Sequence, residues 1–278
     1  MEVVAFLKKA RSSWAWPIVA FGYELLVRIE LIFERALDLL SFSRETDALE
    51  DVTAVIKTFE RPRKLKRLVR SIKRRYPELS IIVIDDSESF IALDGVQTIG
   101  MPYDSGVSAG RNAGLAHVET NYVVMLDDDF VFNRHTNLAE AYRKLASNPV
   151  IDILAGEVIY LPLRIVHDYE GAGLFPSDRA PLYPPGSTIS GLKVMNKVPN
   201  FYIGRAARVR QVGWDNRLKR IDHADFFTRA IGVLTSVQDP SLKILHHPSY
   251  FDKRYLKKKR AQELDRARLR QKYFDGMD

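Results

Sequence analysis

Five mostly apolar residues, Tyr122-Val123-Val124-Met125-Leu126, run directly into three consecutive carboxylates, Asp127-Asp128-Asp129. The apolar run predicts a buried strand, so the acids fall at its C-terminal end. Packing three like charges together is unfavourable unless something neutralises them. A hard divalent cation with oxygen ligands does so, and ligands of α/β sheets bind beyond the C-terminal ends of strands. On its own the triplet admits a second reading, a solvated acidic turn without function. Its neighbours in the sequence tip the balance toward a metal-bound phosphate.

Those neighbours alternate between strand and helix patterns. Val52–Thr58, Ser80–Ile84, Val96–Ile99 and Ile151–Tyr160 join Tyr122–Leu126 as expected strands. Arg63–Arg75 sets Leu65, Leu68, Val69 and Ile72 on one face and reads as a helix, as do Ser108–His117 and Leu138–Ala146. The alternation predicts an α/β fold, a mainly parallel sheet covered by helices on both faces. The pattern breaks from Leu161 to Pro199, a stretch rich in Pro, Gly, Ser and Tyr that suits a lid or acceptor loop. Short pieces resume at Asn200: a helix ending at Val209–Val212, another over Asp225–Ile231, and a strand at Leu242–Leu245. A strongly basic helix is expected over 253–273. The division that follows is 1–50 for an N-terminal amphipathic segment, 51–250 for the α/β domain (halves 51–160 and 161–250), and 251–278 for the basic helix.

In the N-terminal segment, Leu25, Leu26, Ile29, Ile32, Phe33, Ala36, Leu37 and Leu40 recur at helical spacing. Glu24, Arg28, Glu30, Glu34, Arg35 and Asp38 are too many charges for a simple membrane span. Such a helix either packs its apolar face on the rest of the chain or a second subunit, or lies on a membrane surface with Trp14 and Trp16 as interfacial anchors. The net charge of +7 is concentrated in Lys57–Arg75 and Lys253–Lys272, which suits an anionic partner such as a nucleotide or an anionic membrane surface. No nucleic-acid-binding signature is present, and the basic runs lack interleaved aromatic platforms. The absence of cysteine excludes disulfides, a thiol nucleophile and zinc-thiolate sites.

Four segments fall where strands end: Lys57-Thr58-Phe59-Glu60-Arg61-Pro62, Asp85-Asp86-Ser87, the glycine-rich Gly106–Gly114, and Asp127-Asp128-Asp129. On a parallel sheet they share one edge and together suit a nucleotide pocket. A carboxylate there binds ribose hydroxyls or a base N–H, while an arginine and a helix N-terminus suit a diphosphate.

In this order the segments resemble the donor domain of family 2 GT-A glycosyltransferases. They are more closely similar to the GM2/GD2-synthase type of β-1,4-N-acetylgalactosaminyltransferases. That family pairs Lys-Thr-Phe-x-Arg with Asp-Asp-Ser, Ala-Gly-Arg-Asn and Asp-Asp-Asp-Phe-Val-Phe, all present here. Its later segments read here as Asn200-Phe201-Tyr202, Val212-Gly213-Trp214-Asp215-Asn216-Arg217-Leu218 and His223-Ala224-Asp225-Phe226-Phe227. The likeness spans about Val52 to His247. Asp225 replaces the family's glutamate, and Leu161–Pro199 does not match.

The resemblance implies inverting, metal-dependent transfer from a UDP-sugar (GalNAc first, then GlcNAc, Gal or Glc) to a glycan or glycolipid hydroxyl. Asp129 and Asp127 would bind Mn²⁺ or Mg²⁺, with His247 as third ligand ahead of His246. Asp86 would hold uridine, Thr58 and Arg61 would line the base and ribose, and Gly110, Arg111 and Asp128 would complete the donor pocket. Asp225 would be the base, with Asp222 in reserve, and Trp214 and His223 would meet the acceptor. Each has a plainer alternative: an acid favoured at a helix start for Asp225, an Asx turn for Asp86, a surface ion pair for Arg111, and core packing for Trp214 and the histidines. The expected setting is cytoplasmic, at the inner face of a bacterial membrane. The rival activities are sugar nucleotidyl transfer, which would want a glycine in Lys57–Pro62, and non-catalytic glycan binding.

Overall fold

The computed structural model describes residues 16–40, 49–171, 173–251 and 259–275. Trp14, most of the charged stretch Ser41–Asp51, and Lys257 and Lys258 of the basic run lie outside them. The first strand, β1 (Val52–Thr58), is buried along its whole length. It pairs in parallel with β2 (Ser80–Asp85) on one side and β4 (Tyr122–Asp127) on the other, and β3 (Gln97–Gly100) adds in parallel to β2.

The other half of the same sheet is mixed. β10 (Tyr202–Arg205) runs antiparallel to both β4 and β6 (Ile153–Tyr160), and β11 (Ser236–His246) is parallel to β6. Short strands finish it: β5 (Phe130–Val131), β7 (Ile165–Val166), β8 (Thr188–Ile189) and β9 (Leu192–Val194). The order is β3-β2-β1-β4-β10-β6-β11-β9-β8, with β5 on β11 and β7 on β6. The two halves expected from the sequence therefore share one continuous sheet, and the irregular stretch Leu161–Pro199 contributes β7, β8 and β9 to it.

Side-chain alternation along β1 divides the core. Ala54 and Ile56 face one layer and Val55 the other. The first layer receives Leu65, Leu68 and Ile72 of α2 (Pro62–Arg75), and Leu138, Ala141 and Leu145 of α4 (Leu138–Ala146). The second receives Leu115 of α3 (Val107–Ala116), Val209 of α5 (Ala206–Val212), and Phe226 and Phe227 of α6 (His223–Ala230). Each fully buried aliphatic or aromatic side chain contributes roughly 1.5–3 kcal/mol. Local signals agree with these elements. Pro62 opens α2 with φ already helical and Lys73-Arg74-Arg75 close it against the dipole, while the Asn137 side chain caps α4 by accepting from the Glu140 N–H.

Two departures from the sequence reading have clear causes. β11 is far longer than Leu242–Leu245 because it continues through a register shift between Gln238 and Lys243. Pro240 lies inside that shift, where it owes no ladder hydrogen bond, and Asp239 Oδ1 accepts from Ser241 N–H at 2.9 Å. The second departure is in α1 (Trp16–Leu40). Its expected packing face points outward: Leu25, Leu26, Ile29, Ile32 and Phe33 are all exposed, and Leu40 is 85% exposed. The buried residues are Tyr23, Val27, Glu34 and Asp38. Trp16 packs edge-on against Phe251 at 5.0 Å. Of the basic helix expected over 253–273, the described residues hold α7 (Lys259–Tyr273).

A glycine fixes how closely α3 approaches the sheet. A Cβ on Gly114 would lie 2.4 Å from Val55 Cγ1, whereas nothing lies within 4 Å of one on Gly22. Gly114→Ala is expected to destabilise by about 1–3 kcal/mol through overpacking. Gly22→Ala is expected to be neutral or stabilising by up to about 1 kcal/mol through helix propensity. Urea unfolding of the two variants checks both.

Candidate active site

Because β10 is antiparallel to both β4 and β6, strands β1, β2, β4, β6 and β11 all run the same way. Their C-terminal residues, Thr58, Asp85, Asp127, Tyr160 and His246, therefore meet at one edge of the sheet. This is the edge on which α/β sheets place ligands.

The acid triplet is neutralised there by protein cations. Arg61 is ion-paired to Asp128 through Nη2 and to Asp129 through Nη1 at 2.7 Å, and its Nε donates to Asp128 at 3.1 Å. Thr58 Oγ1 donates to Asp128 Oδ2 at 2.6 Å. Thr58 and Arg61, expected at the base and ribose, thus hold the acids. Burial pushes Asp128 up to about 6, with Arg61 opposing. Burial also opposes ionisation of Asp129, but His246 and Arg61 outweigh it and hold Asp129 well below the usual carboxylate range. Asp127 is the open member, its side chain 31% exposed while Asp128 is fully buried. A like-charge cluster does not by itself demand a metal when arginines complete it.

A metal nevertheless fits one corner. His246 Nε2 stands 3.2 Å from Asp129 Oδ1, which is about the spacing of two adjacent ligands on an octahedral ion with bonds of about 2.1 Å. His246 Nδ1 is buried without a hydrogen-bond partner. The antiparallel pairing of β11 with β5 brings the two residues together by setting His246 opposite Phe130, the residue after Asp129. His247 points elsewhere, because successive residues of an extended chain face opposite ways. Its Nδ1 meets Arg67 at 2.6 Å and its Nε2 meets Glu24 of α1 at 3.3 Å. His247, expected as the third ligand, is thus turned away from Asp129, and His246 is the histidine beside it. Among the described residues no three His, Asp or Glu side chains converge as a ready-made site. Two protein ligands completed by phosphate oxygens is a usual arrangement for Mg²⁺.

On the β1–β2 side, Asp86 is fully buried. It pairs with Lys57 Nζ and accepts from Gly106 N–H at 2.8 Å. Each of its oxygens thus serves the protein with one hydrogen bond and keeps a second lone pair. Gly110 has a packing role: a Cβ there would meet Lys57 Cδ at 2.2 Å. Above them Phe59 lies 5.5 Å from Tyr103, and the Arg220 guanidinium sits 5.0 Å from the Phe59 centroid.

Arg111 joins the open acid to the second half of the chain. Its Nη2 donates to Asp127 at 2.8 Å and its Nη1 to Asp222 at 2.5 Å. Burial alone would push this guanidinium down, but Asp222 and Asp127 hold it above its ordinary range. Burial raises Asp222 against the pull of Arg111. The Tyr202 hydroxyl, buried without a partner, belongs to the same electrostatic cluster as Arg111, Asp222 and Asp127.

Asp225 is placed differently from its expected role. Its side chain is 1% exposed. It accepts from Arg229 Nε at 2.9 Å, Lys272 Nζ at 2.6 Å and Tyr273 OH at 2.7 Å. The carboxylate is thus committed to docking α7, and Asp222, three residues earlier, is the acid that reaches the strand edge. Within α7, Asp265 is fully buried and accepts from the N–H groups of Lys219, Arg220 and Ile221 at 3.1, 2.6 and 3.0 Å. Trp214 is core, stacked on Phe226 at 4.7 Å and 7% exposed, and is no platform for an acceptor. His223 Nε2 bonds Val198 O at 2.7 Å, and burial pushes its imidazole down to about 3.

Sequence reasoning quoted Lys57 and Tyr202 within motifs but gave them no role, and it missed the loop residues Lys219 and Arg220. A lysine inside the otherwise apolar run of β1 was the visible signal for the first of these.

Comparison with known proteins agrees with this geometry. Residues 53–162 match Glycosyl transferase family 2. That stretch is a family 2 glycosyltransferase domain. Mouse β-1,4 N-acetylgalactosaminyltransferase 2 is 32% identical over 199 residues, covering 70% of this chain and 39% of that protein. Human β-1,4 N-acetylgalactosaminyltransferase 1 is 34% identical over 194 residues, covering 66% and 36%. The chain therefore spans under two fifths of these relatives' length. Among solved structures, S. aureus TarS residues 1–349 with UDP-GlcNAc aligns with a TM-score of 0.53 at 14% identity, over 73% of this chain and 60% of that one. GalNAc-T7 with UDP, GalNAc and Mn²⁺ aligns at 0.51 and 15%, over 71% and 44%. These likenesses establish the GT-A fold of the family 2 domain.

Removing Arg61 would take the ion pair from buried Asp128 and leave Asp129 to His246 and Lys64. Arg61→Met is expected to destabilise by about 3–5 kcal/mol near neutral pH. Asp128 binds its proton more tightly in the folded state than in the unfolded one, so its contribution to stability is lost as pH rises through about 6. The deficit of Arg61→Met should therefore be smaller at pH 5 than at pH 8, as read by chemical denaturation at both.

Proposed function

We propose that this protein is a metal-dependent inverting glycosyltransferase that moves an N-acetylhexosamine from its UDP donor to a glycan or glycolipid hydroxyl. The observation that carries the reading is the Asp127–Arg111–Asp222 bridge. It puts an accessible carboxylate and a buried, proton-avid carboxylate on one guanidinium at the strand edge. The relatives named for N-acetylgalactosaminyl transfer, and the neighbours titled with UDP, UDP-GlcNAc or Mn²⁺, support the donor class and the metal.

Asp129 and His246 would hold the ion, and Asp127 faces the same opening. A bound Mn²⁺ or Mg²⁺ supplies Lewis-acid stabilisation of the leaving diphosphate. Arg111 orients Asp127 and keeps Asp222 charged against the desolvation that raises it. Asp222 takes the proton of the acceptor hydroxyl as the new C–O bond forms and the bond to UDP breaks. A general base works best with a pKa near the operating pH, and burial moves Asp222 in that direction. Asp225 serves as a positioning residue that seats α7. The neutral His223 carries no charge for the acceptor to meet. The cysteine-free sequence suits a reducing compartment, and the basic C-terminal run suits the anionic inner face of a bacterial membrane.

UDP release from UDP-GalNAc and UDP-GlcNAc in Mn²⁺ with an acceptor panel is the direct test. Asp222→Asn should lower kcat by about 10²-fold or more, with donor affinity within about twofold of wild type. Asp225→Asn should keep most turnover and lose thermal stability instead. The reverse pattern would return the base to Asp225. Pyrophosphate release from UTP with a sugar 1-phosphate would favour nucleotidyl transfer, and silence with every donor would remove the reading.

The kcat–pH profile gives a second check. Activity should climb with pH as Asp222 loses its proton, with a midpoint above the ordinary carboxylate range. Arg111→Lys, which gives up the planar fork, should move that midpoint upward.

A further inference from the structure

The charges on α1 are sorted by side. Each of its four acids is turned toward the domain. Glu24 meets His247 at 3.3 Å and Glu30 meets Arg164 at 2.9 Å. Glu34 meets Arg134 and Arg164 at 2.9 and 2.8 Å, and Asp38 accepts from the Arg134 N–H at 2.6 Å. The outward side carries Phe21, Leu25, Ile29, Ile32, Phe33 and Leu40, from 45% to 85% exposed. At the pitch of an α-helix these residues cover an unbroken apolar arc of roughly 120°. The exposed charged residues of the helix are Arg28 and Arg35, two turns apart on one rim of that arc. Exposed Leu163 and Val166 flank Arg164 where it grips Glu30 and Glu34, and they extend the apolar surface beyond the helix.

A helix stabilised by burial normally turns its apolar stripe inward. Here the polar side is inward and satisfied, while the apolar side faces out. We infer that the outward face of α1 is a docking surface for an anionic lipid bilayer, on which the helix lies in the plane of the interface with Arg28 and Arg35 at the headgroups.

The charge pattern selects this occupant over a second copy of the chain. A twofold contact sets the same patch against itself, and the outward face offers Arg28 and Arg35 no carboxylate on the opposite copy. An anionic headgroup layer does complement them. No helix among the described residues is long and apolar enough to cross a membrane, so the contact is with the surface. Its inner side touches His247, the neighbour of His246, so docking would bring the strand edge close to the bilayer. The inference does not depend on the glycosyl-transfer reading.

Vesicle flotation of the full chain tests it, using phosphatidylcholine and mixed phosphatidylcholine–phosphatidylglycerol vesicles. Wild type should float with the anionic vesicles and do so less as salt rises. Arg28→Gln with Arg35→Gln should weaken binding about 25-fold, at roughly fivefold per cation. Ile29→Asp with Ile32→Asp should abolish it. All four positions are exposed, so both double variants should keep the wild-type melting temperature and UDP release with a water-soluble acceptor. Absence of flotation by wild type would overturn the inference. So would a dimer in sedimentation velocity that Ile29→Asp with Ile32→Asp splits, or flotation that this variant leaves unchanged.

Discussion

Two guanidinium forks hold four carboxylates at one edge of the sheet, and the rest of the site is arranged around them. Arg61 spans Asp128 and Asp129, and Arg111 spans Asp127 and Asp222. Buried charges of one sign persist only when paired and hydrogen-bonded. These pairs let an acid-rich edge fold without relying on an external ion. They also grade the four groups. Asp128 is sealed and proton-avid, Asp129 is strongly acidic, Asp127 is open, and Asp222 is buried beside it. Groups with divided tasks at one locus are what acid–base and donor-binding chemistry require.

Much of this was legible in the sequence because it is local. The apolar runs of β1, β2 and β4, the stripe of α2 and the acids after β4 are all encoded within a few residues of themselves. The fold class followed from their alternation, and the ordered motifs pointed to the family whose domain the chain carries. What was not legible depends on register and long-range pairing. Which of His246 and His247 lies beside Asp129 is a difference of one residue, and the pairing of β11 with β5 sets it. The burial of Asp225 is set by α7, whose Lys272 and Tyr273 lie more than forty residues downstream of Asp225. Trp214 is an aromatic of either use by sequence, and only its stacking on Phe226 places it in the core.

The helix α1 shows the same limit in another form. Periodicity located its apolar face correctly and could not say which way that face points. The four acids made the difference, because the domain offers Arg134, Arg164 and His247 where an apolar face would have found polar partners. An amphipathic pattern reports two faces, and the complementary charge on the neighbouring element decides which is covered.

The three amide bonds that Asp265 receives from residues 219–221 carry one more consequence. In the same short strip the Lys219 carbonyl accepts from Val107 N–H at 3.0 Å, at the head of α3, and the strip runs directly into Asp222. The final helix thus acts as a strut beneath a bridge between the head of α3 and Asp222. A protein shortened before Lys259 would retain every residue assigned to the chemistry and still lose the alignment between the two sides.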